Sequence, residues 1–200
     1  RKSRGLGDVY KRQISHIKNK EYTFIDRTIL EVNLGNSNNN FANYPYALNE
    51  ITIQRKDTTS LLNISCQIND NYLTNYWSDG LIISTPTGST GYSLSNGGSI
   101  VSPESNVILL NPIAPHNINM RSLVIPDNSN IKIDIEGDNE INLSADSRMY
   151  SISSSNQIEI SKADFSIKTI KFDDDNFYKR LREKLFWGQD MRNKNINNDT

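Results

Sequence analysis

Apolar and polar residues alternate along most of this chain. Leu62, Ile64, Cys66 and Ile68 fall on one side of a period of two, with Asn63, Ser65 and Gln67 on the other. Successive side chains of an extended strand point to opposite faces, so this spacing predicts a half-buried strand. Ile51 and Ile53 repeat it, as do Ile131, Ile133 and Ile135 around Lys132 and Asp134. Residues 107–110 and 123–125 are short unbroken apolar runs. Gly, Pro, Asn and Asp turns separate these segments, and many short strands so punctuated predict a mainly β, sandwich-like body.

Two segments break the alternation. Residues 14–20 suggest the end of a helix. Between Asp173 and Trp187, apolar Phe177, Leu181 and Leu185 recur at a spacing of four, with Tyr178 and Phe186 widening the stripe. That spacing predicts a surface helix packing on the sheet. Asp173, Asp174 and Asp175 supply its expected N-cap and a negative first turn, and Lys179, Arg180, Arg182 and Lys184 follow toward the C-terminal end, as the helix dipole favours.

Composition narrows the class. Two hundred residues with 36% hydrophobic content suffice for a real core. Twenty-two Lys and Arg balance 23 Asp and Glu, which argues against a nucleic-acid-binding surface. The first thirteen residues are basic, with Arg1, Lys2, Arg4, Lys11 and Arg12, yet no apolar run follows to form a signal segment, and nothing approaches a membrane span. A single cysteine, Cys66, allows no internal disulfide and fits a reducing cytoplasm. The expected organisation is an atypical leader over residues 1–13 lying outside the fold, a β domain over 14–193 and a polar tail over 194–200, with Asn38, Asn39 and Asn40 in a loop.

The chemistry concentrates in one stretch. Ser78-Asp79-Gly80 leads into the buried run Leu81-Ile82-Ile83, followed by Ser84-Thr85-Pro86-Thr87-Gly88-Ser89-Thr90-Gly91-Tyr92-Ser93-Leu94-Ser95-Asn96-Gly97-Gly98. Glycines admit a ligand close to the backbone, and hydroxyls both donate and accept hydrogen bonds, a combination suited to a nucleotide. By residue type alone such a turn is more often a plain hydrophilic loop, and it matches neither the phosphate-loop nor the dinucleotide-fold fingerprint.

The run from Asp79 to Ser95 resembles, nearly letter for letter, the long signature of the NAD kinases. Glu50, in Ala47-Leu48-Asn49-Glu50, stands 29 residues before Asp79 and is similar to the family's Asn-Glu pair at its usual separation. Asn111-Pro112-Ile113-Ala114-Pro115-His116, Arg121-Ser122-Leu123-Val124 and Ser144-Ala145-Asp146-Ser147-Arg148 look like the family's later blocks, so the resemblance covers about residues 14–193. It implies ATP-dependent phosphorylation of the 2′-hydroxyl on the adenosine ribose of NAD, giving NADP, with a divalent cation such as magnesium on ATP. It implies an all-β C-terminal domain with a terminal helix, to which the full enzyme adds an N-terminal α/β domain. By the same resemblance, Asn49 and Glu50 contact the dinucleotide, and Asp79 does so near the nicotinamide end or across a subunit contact. Thr87 and the run Thr90, Gly91, Tyr92, Ser93, Leu94 and Ser95 line the adenosine pocket, Ala114 offers its backbone, and Arg148 stands where the family often has glutamine. Homo-oligomers, dimers or tetramers, are implied as well.

The same resemblance sets limits. The family's catalytic aspartate and phosphate loop lie in a Gly-Gly-Asp-Gly motif, and neither Gly7-Asp8 nor Gly137-Asp138 has the flanking glycines. No catalytic residue is therefore assigned, and the expectation is a truncated or partly assembled chain carrying a foreign leader. An intact coding sequence without an upstream Gly-Gly-Asp-Gly would sink that idea. Ser78 replaces a glycine and Gly91 a commoner alanine. His116 reads as structural rather than as a general base, and with His16 as the only other histidine no metal cluster is expected. The alternatives are a catalytically inactive module that binds NAD and self-associates, a lipid-kinase relative, and a β-sandwich adhesion module.

Overall fold

A computed structural model describes residues 6–35, 43–56, 60–137, 140–172 and 176–188. The strands run in chain order as β1 (Tyr22–Arg27), β2 (Leu30–Asn33), β3 (Tyr46–Ala47), β4 (Glu50–Arg55), β5 (Leu62–Ile68), β6 (Asn71–Ser78), β7 (Gly80–Ser84), β8 (Val107–Ile113), β9 (Leu123–Pro126), β10 (Ile131–Ile135), β11 (Glu140–Ala145), β12 (Arg148–Ser153), β13 (Ile158–Lys162) and β14 (Ile167–Phe172). The helices are α1 (Leu6–Lys18), the short α2 (Tyr92–Ser95) and α3 (Phe177–Lys184).

Contacts divide the chain into two compact units, residues 26–167 and residues 1–25 with 168–200. The larger unit holds two six-stranded sheets among the described residues, ordered β3-β2-β13-β10-β5-β6 and β12-β11-β4-β7-β8-β9, with antiparallel pairing throughout. The expected sandwich is present. Leu62, Ile64, Cys66, Ile131, Ile133 and Ile158 of the first sheet share one core with Ile51, Ile53, Leu81, Ile83, Ile108, Leu110, Ile141 and Leu143 of the second. Burial pushes the Cys66 thiol up to about 12, so it stays protonated and serves as core.

The second sheet is covered on its other face as well. Ile82 and Leu109 point away from the shared core yet are fully buried, which explains the unbroken apolar runs in β7 and β8. A single 3-10 turn (Gly88–Thr90) and α2 connect β7 to the segment leading into β8, and α2 contacts β7. The nucleotide-like stretch is therefore a cap on the outer face of this sheet.

Three local expectations are corrected. Helix α1 begins at Leu6 and runs through residues expected to carry no patterned element, because Tyr10, Ile14 and Ile17 carry a helical spacing back through them. Helix α3 is capped by Asn176, whose Oδ1 accepts from the Tyr178 and Lys179 main-chain N–H groups at 2.9 and 3.3 Å, and none of its residues is buried. An asparagine one residue before the helix satisfies those free donors directly; Asp173, Asp174 and Asp175 lie outside the described residues, as do Asn38, Asn39, Asn40 and the tail 194–200. Asn63, expected on the polar face of β5, is buried, and its Nδ2 donates to Glu136 Oε2. Among the described residues no helix is long and apolar enough to cross a membrane.

Candidate functional site

Strand β4 begins at Glu50, and the three residues Leu48-Asn49-Glu50 that lead into it are held by two distant residues. Asp146, in the turn between β11 and β12, takes the Leu48 N–H on Oδ2 at 3.0 Å and the Asn49 and Glu50 N–H groups on Oδ1 at 2.7 and 3.2 Å. Its own N–H donates to the Glu50 carbonyl at 2.9 Å. From the other side, Thr85 Oγ1 donates to the Leu48 carbonyl at 2.6 Å and the Thr85 N–H to the Asn49 carbonyl at 2.9 Å. All six main-chain polar groups of the three residues are thus partnered, as buried backbone requires. Asp146 adopts a left-handed conformation (φ 51°) to reach them, which aspartate tolerates better than most residues.

The Glu50 side chain is treated differently. Its Oε2 is buried without a hydrogen-bond partner. Burial raises the Glu50 pKa, the nearby Asp146 carboxylate raises it further, and the Tyr92 main-chain N–H pulls it back. The carboxylate lies under Gly91, where an added Cβ would stand 3.2 Å from Oε2. A buried carboxylate oxygen without a donor is costly in isolation and fits a ligand that brings hydroxyl or N–H donors.

The cap is assembled with little room to spare. A Cβ on Gly88 would stand 2.1 Å from the Asn49 carbonyl oxygen, and one on Gly98 would stand 2.2 Å from Ser93 Oγ. Asn111 of β8, buried, donates from Nδ2 to the Ser93 and Asn96 carbonyls at 3.0 and 3.3 Å. Gln54 Nε2 donates to the Tyr92 hydroxyl at 2.9 Å, and the ring is 40% exposed, so Tyr92 is a rim residue and not core. Thr90, Gly91 and Ser95 are exposed, Thr87 and Leu94 half-buried, and Ser93 fully buried against the sheet.

Arg148 spends its guanidinium on the protein. Nη1 donates to the Tyr44 carbonyl at 3.0 Å, Nη2 donates to the Tyr46 carbonyl, and the charge lies 4.3 Å from the centre of the Tyr44 ring. A small hollow of about 50 Å³ opens nearby, lined by Tyr44, Tyr46, Leu48, Asp146 and Phe165. Ligand pockets begin at roughly 300 Å³, so this hollow alone does not hold a dinucleotide.

Asp79 and Ala114 lie elsewhere. Asp79 pairs with Arg55 (3.1 Å), and its N–H donates to the Ile113 carbonyl at 2.9 Å, beside exposed Ala114 at φ 43°. Glu50 and Arg55 are the two ends of β4, and five residue steps of strand span about 17 Å. Asn49, Glu50 and Arg148 thus lie at one end of the second sheet and Asp79 and Ala114 toward the other, and the cap runs between them, with its Tyr92 hydroxyl on Gln54 and Asn96 Nδ2 donating to the Pro112 carbonyl at 2.6 Å. Sequence reasoning missed Asp146, Thr85 and Asn111 as builders of the site; only the Asp-Ser turn between two alternating segments hinted at the first. No three His, Cys, Asp or Glu side chains converge among the described residues, and Asp146 is already engaged by N–H groups.

Residues 48–172 match the ATP-NAD kinase C-terminal domain. The chain is 49% identical over 175 residues to the NAD kinase of Flavobacterium psychrophilum, covering 87% of this chain and 60% of that protein. It is 44% identical over 181 residues to the NAD kinase of Flavobacterium johnsoniae, covering 90% and 62%. It thus spans about three fifths of the length of these curated relatives. Among solved structures, yeast NADH kinase complexed with NADH superposes with a TM-score of 0.82 at 29% identity, over 92% of this chain and 55% of that one. An NAD kinase from Archaeoglobus fulgidus in complex with ATP shares the fold, with a TM-score of 0.69 at 22% identity over 88% of this chain and 64% of that one.

Two substitutions test the construction of the cap. Gly88→Ala forces backbone apart and is expected to cost about 2 kcal/mol or more in urea denaturation, whereas Gly91→Ala, with contacts no closer than 3.1 Å, is expected to cost under about 1 kcal/mol. Equal costs would contradict this packing. Because the Glu50 pKa is raised on folding, its contribution to stability is complete below the ordinary carboxylate range and is lost as pH rises through the folded value. Glu50→Gln should therefore raise the melting temperature at about pH 7, with the gain shrinking toward about pH 4; a gain that grows on acidification would refute the sign.

Proposed function

The chain belongs to the ATP-NAD kinase family, and we propose that it is the dinucleotide-holding part of an NAD kinase. The reaction is transfer of the γ-phosphoryl group of ATP to the 2′-hydroxyl of the adenosine ribose of NAD, giving NADP and ADP. A new oxygen–phosphorus bond forms as the bond to the β-phosphate oxygen breaks, and the hydroxyl proton leaves. The observation that carries this reading is the buried, partnerless Glu50 oxygen beside exposed Thr90, Gly91 and Tyr92. As a carboxylate, Glu50 accepts hydrogen bonds from ribose hydroxyls. Asn49 flanks it, Thr87 and the run from Thr90 to Ser95 edge the nucleoside, and the Tyr92 ring offers a face for stacking. Ser93 and Arg148 act within the protein, holding the cap and the Tyr44–Tyr46 segment. No described residue is assigned the hydroxyl proton; in the family the catalytic aspartate belongs to the Gly-Gly-Asp-Gly motif, which this sequence does not contain. ATP with a divalent cation is the proposed donor, and the cytoplasm the proposed compartment, in keeping with the buried, reduced Cys66.

Asp79 and Ala114 lie about 17 Å of strand from Glu50 in their own copy, and they meet the dinucleotide near its nicotinamide end or across a subunit contact. The proposed assembly is a homo-oligomer, dimer or tetramer, and light scattering should return a multiple of the 22.7 kDa chain mass. A monomer throughout would leave Asp79 only the nicotinamide end of its own copy's ligand.

A second reading rests on the described residues, which offer a ligand contact at Glu50 and no assigned base for the hydroxyl proton: a module that binds NAD and self-associates without turnover. Calorimetric titration of NAD into the chain, beside an Asn49→Ala, Glu50→Ala double variant and an assay for ATP-dependent NADP, separates the readings. Binding should weaken at least about tenfold in the variant, the size of a lost hydrogen bond to a charged group. Binding without NADP formation favours the module; a folded chain that binds no NAD sinks both.

A further inference from the structure

We propose that Asp146 is the positioning residue of this site: its carboxylate fixes the backbone from which Asn49 and Glu50 meet the ligand, and it places a like charge beside Glu50. The inference rests on the dinucleotide reading above and deepens it. Three N–H groups converge on one carboxylate from residues 96 to 98 positions away in sequence. Those three donors account for every main-chain N–H of Leu48-Asn49-Glu50, so Asp146, with Thr85 on the carbonyl side, sets the backbone from which both side chains project. Charge-assisted hydrogen bonds of this kind are roughly twice as strong as neutral ones. Asp146 has no need to touch the ligand to act on it.

The second half of the role is electrostatic. Of the charged groups near Glu50, Asp146 from the β11–β12 turn raises its pKa, while the Tyr92 main-chain N–H from α2 lowers it. Arg148, at the start of β12, is turned to the Tyr44 and Tyr46 carbonyls, and the Tyr92 hydroxyl is engaged with Gln54. A ligand that donates hydroxyls prefers the ionised Glu50, so affinity rises as pH climbs through the raised Glu50 value. Removing the like charge at position 146 lowers that value and moves the rise to lower pH.

Asp146→Asn keeps the shape and one carbonyl acceptor while deleting the charge; Asp146→Ala deletes both. In the ligand-free wild-type chain, the Leu48, Asn49 and Glu50 amides should be protected from hydrogen exchange, and in Asp146→Asn that protection should fall by about tenfold or more. NAD affinity, measured between about pH 4 and 8, should drop about tenfold at neutral pH in Asp146→Asn, with its midpoint displaced to lower pH. A merely structural role would weaken binding without moving the midpoint. Wild-type amides that exchange freely, or a folded Asp146→Asn variant with unchanged affinity and midpoint, would overturn the inference and leave the dinucleotide reading standing. A folded wild-type chain that binds no NAD would overturn that reading, and this role with it. If Asp146→Ala fails to fold, Asp146→Asn carries the test alone.

Discussion

The site depends on how three peptide units are held at the entrance to β4. Leu48 and Asn49 precede the ladder and Glu50 opens it, so their main-chain groups need partners beyond the strand pairing. Asp146 and Thr85 provide all of them. The β11–β12 hairpin must therefore turn where it does, and Thr85 must follow directly on β7. Gly88 must also lack a side chain, because the turn after Thr85 presses back onto the Asn49 carbonyl. The two sheets form a rigid base for this arrangement, since both strands that end there, β4 and β7, are buried in the shared core.

Against this fully satisfied backbone, Glu50 Oε2 stands out as the carboxylate oxygen among three buried side-chain atoms without a partner, the others being Asn63 Oδ1 and Ser122 Oγ. An evolved core does not leave a carboxylate oxygen buried without a donor unless something else completes it, because the desolvation cost is not recovered. The folded chain is less stable at neutral pH for carrying an ionisable group there, and a ligand that donates to Glu50 restores what folding gave up. The raised Glu50 pKa has this same origin: burial disfavours the charge, and the Asp146 carboxylate that anchors the loop disfavours it again. The group that builds the site thus also makes its own neighbour harder to ionise.

Much of this was legible in the sequence, and the limits have physical reasons. Strict alternation fixed β4, β5 and β10 because one face of each lies in a single apolar core. Residues 81–83 read as a buried strand and 107–110 as an unbroken apolar run, and the cap gives the reason by covering β7 on its outer face. Asn63 escaped because period-two patterning cannot distinguish a solvated position from a buried one with a hydrogen-bond partner. The cap at Asn176 escaped because three aspartates just upstream offered an equally good signal. Asp146 was quoted within a family-like block, yet nothing local marks its task, since its partners lie nearly a hundred residues earlier. Resemblance drew Asp79 and Ala114 into one set with Glu50; the extended geometry of β4 keeps them apart within one chain.

The density of hydroxyls in the signature also takes on a different meaning. A run rich in Ser, Thr and Gly suggests that each hydroxyl is there for the ligand. Ser84 Oγ instead donates to the Thr85 carbonyl, Thr85 Oγ1 to Leu48, and Ser89 Oγ to the Pro86 carbonyl while accepting from the Val101 N–H. Ser93 is sealed against Asn111. Thr90 and Ser95 remain exposed and Thr87 half-exposed. A tight turn lying over a sheet face exposes many main-chain groups that helix or ladder bonds do not reach, and short hydroxyl side chains satisfy them with little bulk. The signature is long because half of it is needed to build the surface that the other half presents.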